Sequence, residues 1–193
     1  MINCEDCRKA DVVLLGAGYD RTSSFRKGAE RGPQAVVECI KKQLEFTDRI
    51  TGFEPLETLK TCYLDLGELN SLSPEEMVSN VKSAYKPLLQ QGKFVLMLGG
   101  EHSVSNGAFL AWADRERTKD ITIVQIDAHL DLRNDDSDFE DSPHGPYSHC
   151  TVMRRALDLG FRTVQVGIRT YDKEEVSFAR EKDQQDAGLY FAV

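Results

Sequence analysis

Three features of the sequence predict an α/β fold, with a mainly parallel sheet covered by helices on both faces. Short β-rich runs alternate with longer helical patterns, the order produced when parallel strands are joined by helical crossovers. The helical segments open on recognisable capping residues. Two of the strands stop abruptly in loops carrying histidine and carboxylate side chains, and in open α/β sheets the carboxyl ends of strands are where ligands bind.

In chain order, VVLLG (12–16) reads as the first strand. Pro33 opens the helix PQAVVECIKKQLEF, in which Val36, Val37, Ile40 and Leu44 recur at helical period and are expected to form its buried stripe. CYLDL (62–66) is the second strand. In SPEEMVSNVKSAYKPLLQQ (73–91), Ser73 is the N-cap, Pro74 takes the first helical position and Glu76 completes a capping box. Met77, Val78, Val81, Ala84, Tyr85, Leu88 and Leu89 follow the helical period, Pro87 is expected to kink the helix, and Gly92 ends it. FVLML (94–98), ITIVQI (121–126), TVQVGI (163–168) and LYFAV (189–193) are the remaining strands.

A chain of 193 residues fits a single domain with a substantial core. Its apolar runs all fall short of the roughly 20 residues that span a bilayer. The start, MINCEDCRKADVV, lacks the charged-then-apolar layout of a secretory signal, so a cytoplasmic location and no membrane partner are expected. The formal net charge of −8 disfavours nucleic acid and suits a small cationic substrate. Five cysteines in such a context are expected to be reduced thiols. Cys4 and Cys7 form one isolated C-x-x-C, weak evidence for zinc and better read as structural or incidental.

FVLMLGGEHSVSNG (94–107) is a strand that stops at Gly99-Gly100 and delivers Glu101 and His102 into a loop. ITIVQIDAHLD ends the same way, and in an extended chain Asp127, His129 and Asp131 would point to one face. Both ends belong to one edge of the sheet. His102, Asp127, His129 and Asp131 therefore form a candidate set of imidazole and carboxylate ligands. Such a set suits Mn²⁺ or another first-row divalent ion better than Ca²⁺, and the absence of thiolates disfavours structural zinc. One such residue alone would more simply cap a helix or turn. Four of them at two strand ends favour a metal site.

GGEHS and DAHLD resemble the two leading signatures of the ureohydrolase family of arginase, agmatinase and formimidoylglutamase. GAGYDRTSSFRKGAERGPQAV (16–36), YSHCTVMRRAL (147–157) and VGIRTYD (166–172) resemble the family's entry loop, its agmatinase-type segment and a later strand-end motif. The resemblance implies a three-layer αβα, arginase-like fold and a site for two Mn²⁺ ions. Carried over residue by residue, it implies that His102 and Asp131 ligate one ion and His129 the other, with Asp127 bridging them. Paired ions are suited to acidifying a water for attack on a guanidinium carbon, a poor electrophile.

The resemblance also places His149 where the family's proton-shuttling histidine stands, to protonate the leaving amine. Cys150 follows it in place of the usual glycine or alanine and adds bulk beside the site. His144, in DSPHGPYSH, competes for that role but reads as a solvated turn histidine. Arg26 and Arg31 are expected to anchor the entry loop through backbone or carboxylate contacts. Arg133 is expected to form a surface salt bridge rather than hold a substrate carboxylate.

The acidic stretch NDDSDFEDS (134–142) and the YSHxTxxRR pattern favour a substrate without a carboxylate, so cleavage of agmatine to urea and putrescine is the first expectation. Formimidoylglutamase or arginase-type hydrolysis is the alternative. The family's second aspartate motif, S-x-D-x-D-x-x-D-P, is absent, and in the family's sheet two later strands insert between the third and fourth. The resemblance thus implies a single ureohydrolase domain over 1–193 truncated at its C-terminus, a sheet without its centre, and a homo-oligomer when complete. A non-catalytic truncated remnant of the family is the reading from another class.

Overall fold

A computed structural model of the chain describes residues 2–43, 47–54, 58–115, 117–137, 144–183 and 187–191. In chain order the regular elements are β1 (Val12–Ala17), α1 (Gly32–Gln43), β2 (Thr61–Asp65), α2 (Pro74–Gln90), β3 (Phe94–Gly99), α3 (Ser105–Ala113), β4 (Thr122–Ile126), α4 (Val152–Asp158), β5 (Arg162–Ile168), α5 (Lys173–Asp183) and β6 (Ala187–Phe191). All strand pairing among them is parallel, as the alternation of strands and helices predicts. The strands form two three-stranded sheets, β2-β1-β3 and β4-β5-β6.

Local chemistry explains the helices. Ser73 Oγ accepts the Glu76 N–H while the Glu76 carboxylate accepts the Ser73 N–H, so two otherwise unpaired donors of α2 are satisfied. Met77, Val78, Val81, Leu88 and Leu89 bury one face of it. The helix continues through Pro87, and Gly92, at φ +68°, follows its end. On α1, Val37 is buried, but Val36 is 42% exposed and falls outside the expected stripe. Pro33 and Val37, one turn apart, face the sheet, and Val36 points away from it. Leu44 lies outside the described residues.

Each sheet has its own core. Ala17, Tyr19, Leu69, Met77, Val78, Val81 and Val104 cluster beside the first, and Leu130, Leu132, Met153, Leu157, Ile168 and Ala179 beside the second. Each large aliphatic in these clusters stabilises the fold by roughly 1.5–3 kcal/mol. The halves meet through α3 and α4, with the Phe109 and Phe161 rings 6.1 Å apart, and through the loops at the C-terminal ends of β3 and β4. β3 and β4 are edge strands, and there Phe94, Leu96, Val124 and Ile126 are exposed.

One expectation is overturned: Cys7 and Cys62 form a disulfide, with Cα atoms 5.3 Å apart. The backbone N–H groups of Asn3 and Cys4 donate to Thr61 O, which lays the N-terminal turn beside β2 and brings the two sulfurs together. A partner 55 residues away leaves no mark in a cysteine count. Cys4, Cys39 and Cys150 are free thiols. Among the described residues no helix is long and apolar enough to cross a membrane.

Candidate metal centre

The strand ends come together because the chain turns sharply at each. After β3, the Gly100 N–H donates to Ala17 O and the Glu101 N–H to Tyr19 O at 2.8 Å. A Cβ on Gly100 would stand 2.0 Å from Tyr19 O, so only glycine permits this approach. The Glu101 carboxylate then ties the turn down, accepting from the Ser103 N–H and hydroxyl and from the Thr22 hydroxyl. His102 is left facing the second sheet.

β4 ends at Ile126, His129 still pairs with Thr170 in an isolated parallel bridge, and Asp131 leaves the extended conformation on which the expected alternation depends. The His129 N–H donates to Asp127 Oδ1, an Asx turn, and Asp131 adopts φ +52°. The Asp131 carbonyl accepts the Met153 and Arg154 N–H groups at the start of α4, and Leu130 points the other way into the core. These bonds hold a backbone conformation that a non-glycine residue otherwise avoids.

His102, Asp127 and Asp131 each offer a ligand atom within 4.8 Å of the others. His102 Nδ1 lies 2.8 Å from Asp131 Oδ2. Burial alone would lower the His102 pKa, but the hydrogen bond and charge of Asp131, with Asp127 and Glu101, carry it above its ordinary value. The site therefore favours positive charge. Nitrogen and oxygen donors converging without a thiolate fit a divalent first-row ion such as manganese.

His129 stands beside this cluster rather than in it. Its side chain is 61% exposed, with Nδ1 3.4 Å from Asp127 Oδ1. His149 borders the same cavity, of about 240 Å³, with Phe25, His102, Asp127, His129 and Asp131. Its backbone N–H donates to Thr22 Oγ1, and its Nδ1 lies 3.2 Å from Ser148 Oγ. An adjoining cavity of about 350 Å³ shares His129, Asp131 and His149 and extends to Tyr171, Asp172 and Glu175.

Several surrounding residues differ from expectation. His144 is not a solvated turn residue: its side chain is 16% exposed, its Nδ1 lies 3.0 Å from Asp136 Oδ2, and it does not line the cavity. Asp136, from the acidic stretch, is buried and also accepts the His144 and Gly145 N–H groups, so it faces inward. Residues 138–142 of that stretch lie outside the described residues.

The entry loop is anchored by Asp20 and Lys27. Asp20 accepts from Ser23, Gly28 and Ala29, and Lys27 Nζ donates to three backbone carbonyls. Arg26 instead lies over the Phe25 ring, whereas Arg31 makes a carboxylate contact, 3.6 Å from its neighbour Glu30. Arg133 forms the expected salt bridge, 2.9 Å from Asp172. Thr22, Gln125, Gln165 and Glu175 were not anticipated. Of these, only the two glutamines left a signal, as amides between aliphatic residues in buried strands.

Residues 10–186 match the Arginase family. An N(1)-aminopropylagmatine ureohydrolase of Synechocystis is 39% identical over 178 residues, 90% of this chain and 56% of the relative. An agmatinase of Bacillus anthracis is 34% identical over 90% of this chain and 57% of its own length. The chain thus spans a little over half the length of these relatives. Among solved structures, the agmatine ureohydrolase of Thermoplasma volcanium superposes with a TM-score of 0.79 at 29% identity, over 97% of this chain and 59% of that one. A formiminoglutamase of Trypanosoma cruzi solved with manganese gives 0.81 at 21% identity, over 98% of this chain and 62% of that one, and shares the fold.

Proposed function

The chain belongs to the arginase family, and from that premise we propose that it carries the metal-binding part of a manganese ureohydrolase that releases urea from a small cationic guanidino compound. The convergence of His102, Asp127 and Asp131 where β3 and β4 end carries this reading. In it His102, Asp127, His129 and Asp131 are the side chains that would hold the metal. Manganese held there would supply a more acidic water and positive charge opposite the developing negative charge.

The chain's own residues do the rest. The acidic cluster draws a guanidinium toward the ligands, and the exposed ring of His129 and that of His149 flank it. His149, with its backbone fixed by Thr22, delivers a proton to the leaving amine nitrogen. Agmatine, giving urea and putrescine, is the first substrate, and the names of several relatives add N(1)-aminopropylagmatine. The cavity that continues toward Tyr171 and Asp172 favours a chain longer than a bare guanidine. Pairing of Arg133 with Asp172 leaves a substrate carboxylate poorly served, which ranks formimidoylglutamate lower.

The exposed apolar side chains on β3 and β4 support a further part of the reading: turnover requires two more strands between these edges, carrying additional aspartate ligands. The test is urea release from agmatine and N(1)-aminopropylagmatine by Mn²⁺-loaded protein, as this chain and as any longer product of the gene. His149→Asn should lower turnover and retain metal. Metal loss equal to activity loss would overturn its proton-transfer role, and no Mn²⁺ binding by any form would overturn the site.

A further inference from the structure

Gln125 on β4 and Gln165 on β5 are register partners, and both are buried. Each sits between aliphatic residues, V-Q-I and V-Q-V, where an aliphatic side chain would cost nothing to bury. A buried amide left unpaired costs about 1–3 kcal/mol, so such a pair persists where its polar ends are used.

They are used in a directed chain. Gln125 Nε2 donates to Asp131 Oδ2 at 2.9 Å, the same oxygen that meets His102. Gln165 Nε2 donates to Gln125 Oε1 and, at 2.7 Å, to the carbonyl of Leu130, the residue before Asp131. Chemistry forces this direction. An ionised aspartate only accepts, so Gln125 must turn its NH₂ toward Asp131 and its oxygen toward Gln165, which must answer with its own NH₂. Gln165 Oε1 is then buried with no partner among the described residues, a cost that keeping this direction imposes.

We propose that Gln125 and Gln165 are positioning residues that fix the Asp131 carboxylate for metal binding, one amide holding its oxygen and the next holding both that amide and the peptide ahead of it. This rests on the reading of Asp131 as a ligand. The relay reaches Asp131 from two sides, at the carboxylate and at the backbone that enters its φ of +52°. It also makes metal affinity depend on the pairing of β4 with β5.

The test is Mn²⁺ affinity of this chain, measured by titration calorimetry and by the EPR signal of free Mn²⁺, with circular dichroism to confirm folding. Gln125→Met keeps volume and removes the bond, and should weaken binding about 10–100-fold, the usual cost of losing a partner of a metal ligand. Gln165→Met should weaken it by a smaller factor. Thr163→Val, equally buried on β5 and with an unpartnered hydroxyl, should leave it unchanged. Asp131→Ala should abolish tight binding.

If Asp131→Ala binds like the parent, the ligand reading falls and the relay with it. If Asp131→Ala loses binding while folded Gln125→Met does not, the relay alone is overturned. Should Gln125→Met fail to fold, parental affinity in Gln165→Met overturns the proposal, and so does weakening by Thr163→Val equal to that by Gln165→Met.

Discussion

The Thr22 hydroxyl and the Glu101 carboxylate lie 2.8 Å apart although 79 positions separate them in the chain. The same hydroxyl accepts the backbone N–H of His149 at 2.9 Å, so one side chain joins the loop after β1, the turn after β3 and the turn before α4. Thr22→Val keeps the shape and removes both bonds, leaving a partly buried carboxylate and an amide short of partners. The expected loss is about 1–3 kcal/mol in urea denaturation. A variant as stable as the parent would mean that water takes over both bonds.

Gly100 and Gly92 should differ in how strongly alanine destabilises them. At Gly100 the added carbon meets the Tyr19 backbone, which the Glu101 N–H also holds, so neither side can yield cheaply. Gly100→Ala should cost at least about 3 kcal/mol and lower the soluble yield. At Gly92 there is open space and only a φ of +68° to satisfy, so the cost there should be about 1–2 kcal/mol. Equal thermal midpoints for the two variants would contradict the close approach at Gly100.

Burial works to raise the Asp20 pKa, but hydrogen bonds from Ser23, Gly28 and Ala29 hold it below the ordinary aspartate value of 3.8. The folded state thus binds this proton more weakly than the unfolded chain. The resulting stability is fully present above the unfolded pKa and is lost as pH falls through the lower folded value. Asp20→Asn should reduce stability at neutral pH and flatten the acid limb of a stability-versus-pH curve. An unchanged acid limb would remove Asp20 as its source.

The free cysteines should separate by reactivity. Burial pushes the Cys150 thiol up to about 11, while Cys39 is exposed on α1. Because the thiolate is the reactive form, iodoacetamide near neutral pH should label Cys39 rapidly and Cys150 only in denaturant, and Cys7 and Cys62 only after reduction. Labelling of Cys150 at the rate of Cys39 would show that the turn before α4 opens readily.

Five of the strands, the long helix with its capping box and the two strand ends carrying GGEH and DAHLD were legible because each depends on neighbours within a few residues; of the sixth strand, expected over 189–193, residues 189–191 fall in β6 and 192–193 lie outside the described residues. Propensity, period and capping are local, and parallel connection places successive strand ends on one edge. The stripe on α1 was only half legible, since four apolar residues at helical spacing do not say which flank meets the sheet. Val37 does and Val36 does not.

By itself, then, the sequence determined the element order, the parallel pairing of the strands and the strand ends after which His102, Asp127, His129 and Asp131 stand, whereas the division of the strands into two sheets, with β3 in one and β4 in the other, is seen only in the structure. Tertiary structure alone decided the Cys7–Cys62 bond, the inward turn of His144 onto Asp136, the Thr22 junction and the glutamine chain behind Asp131. Most of these pair groups from separate segments, and all depend on how loops close and strands align, which no local period encodes. Even the approach of Asp131 to His102 belongs here, because it comes from a left-handed residue held by α4 and β5 rather than from an extended strand.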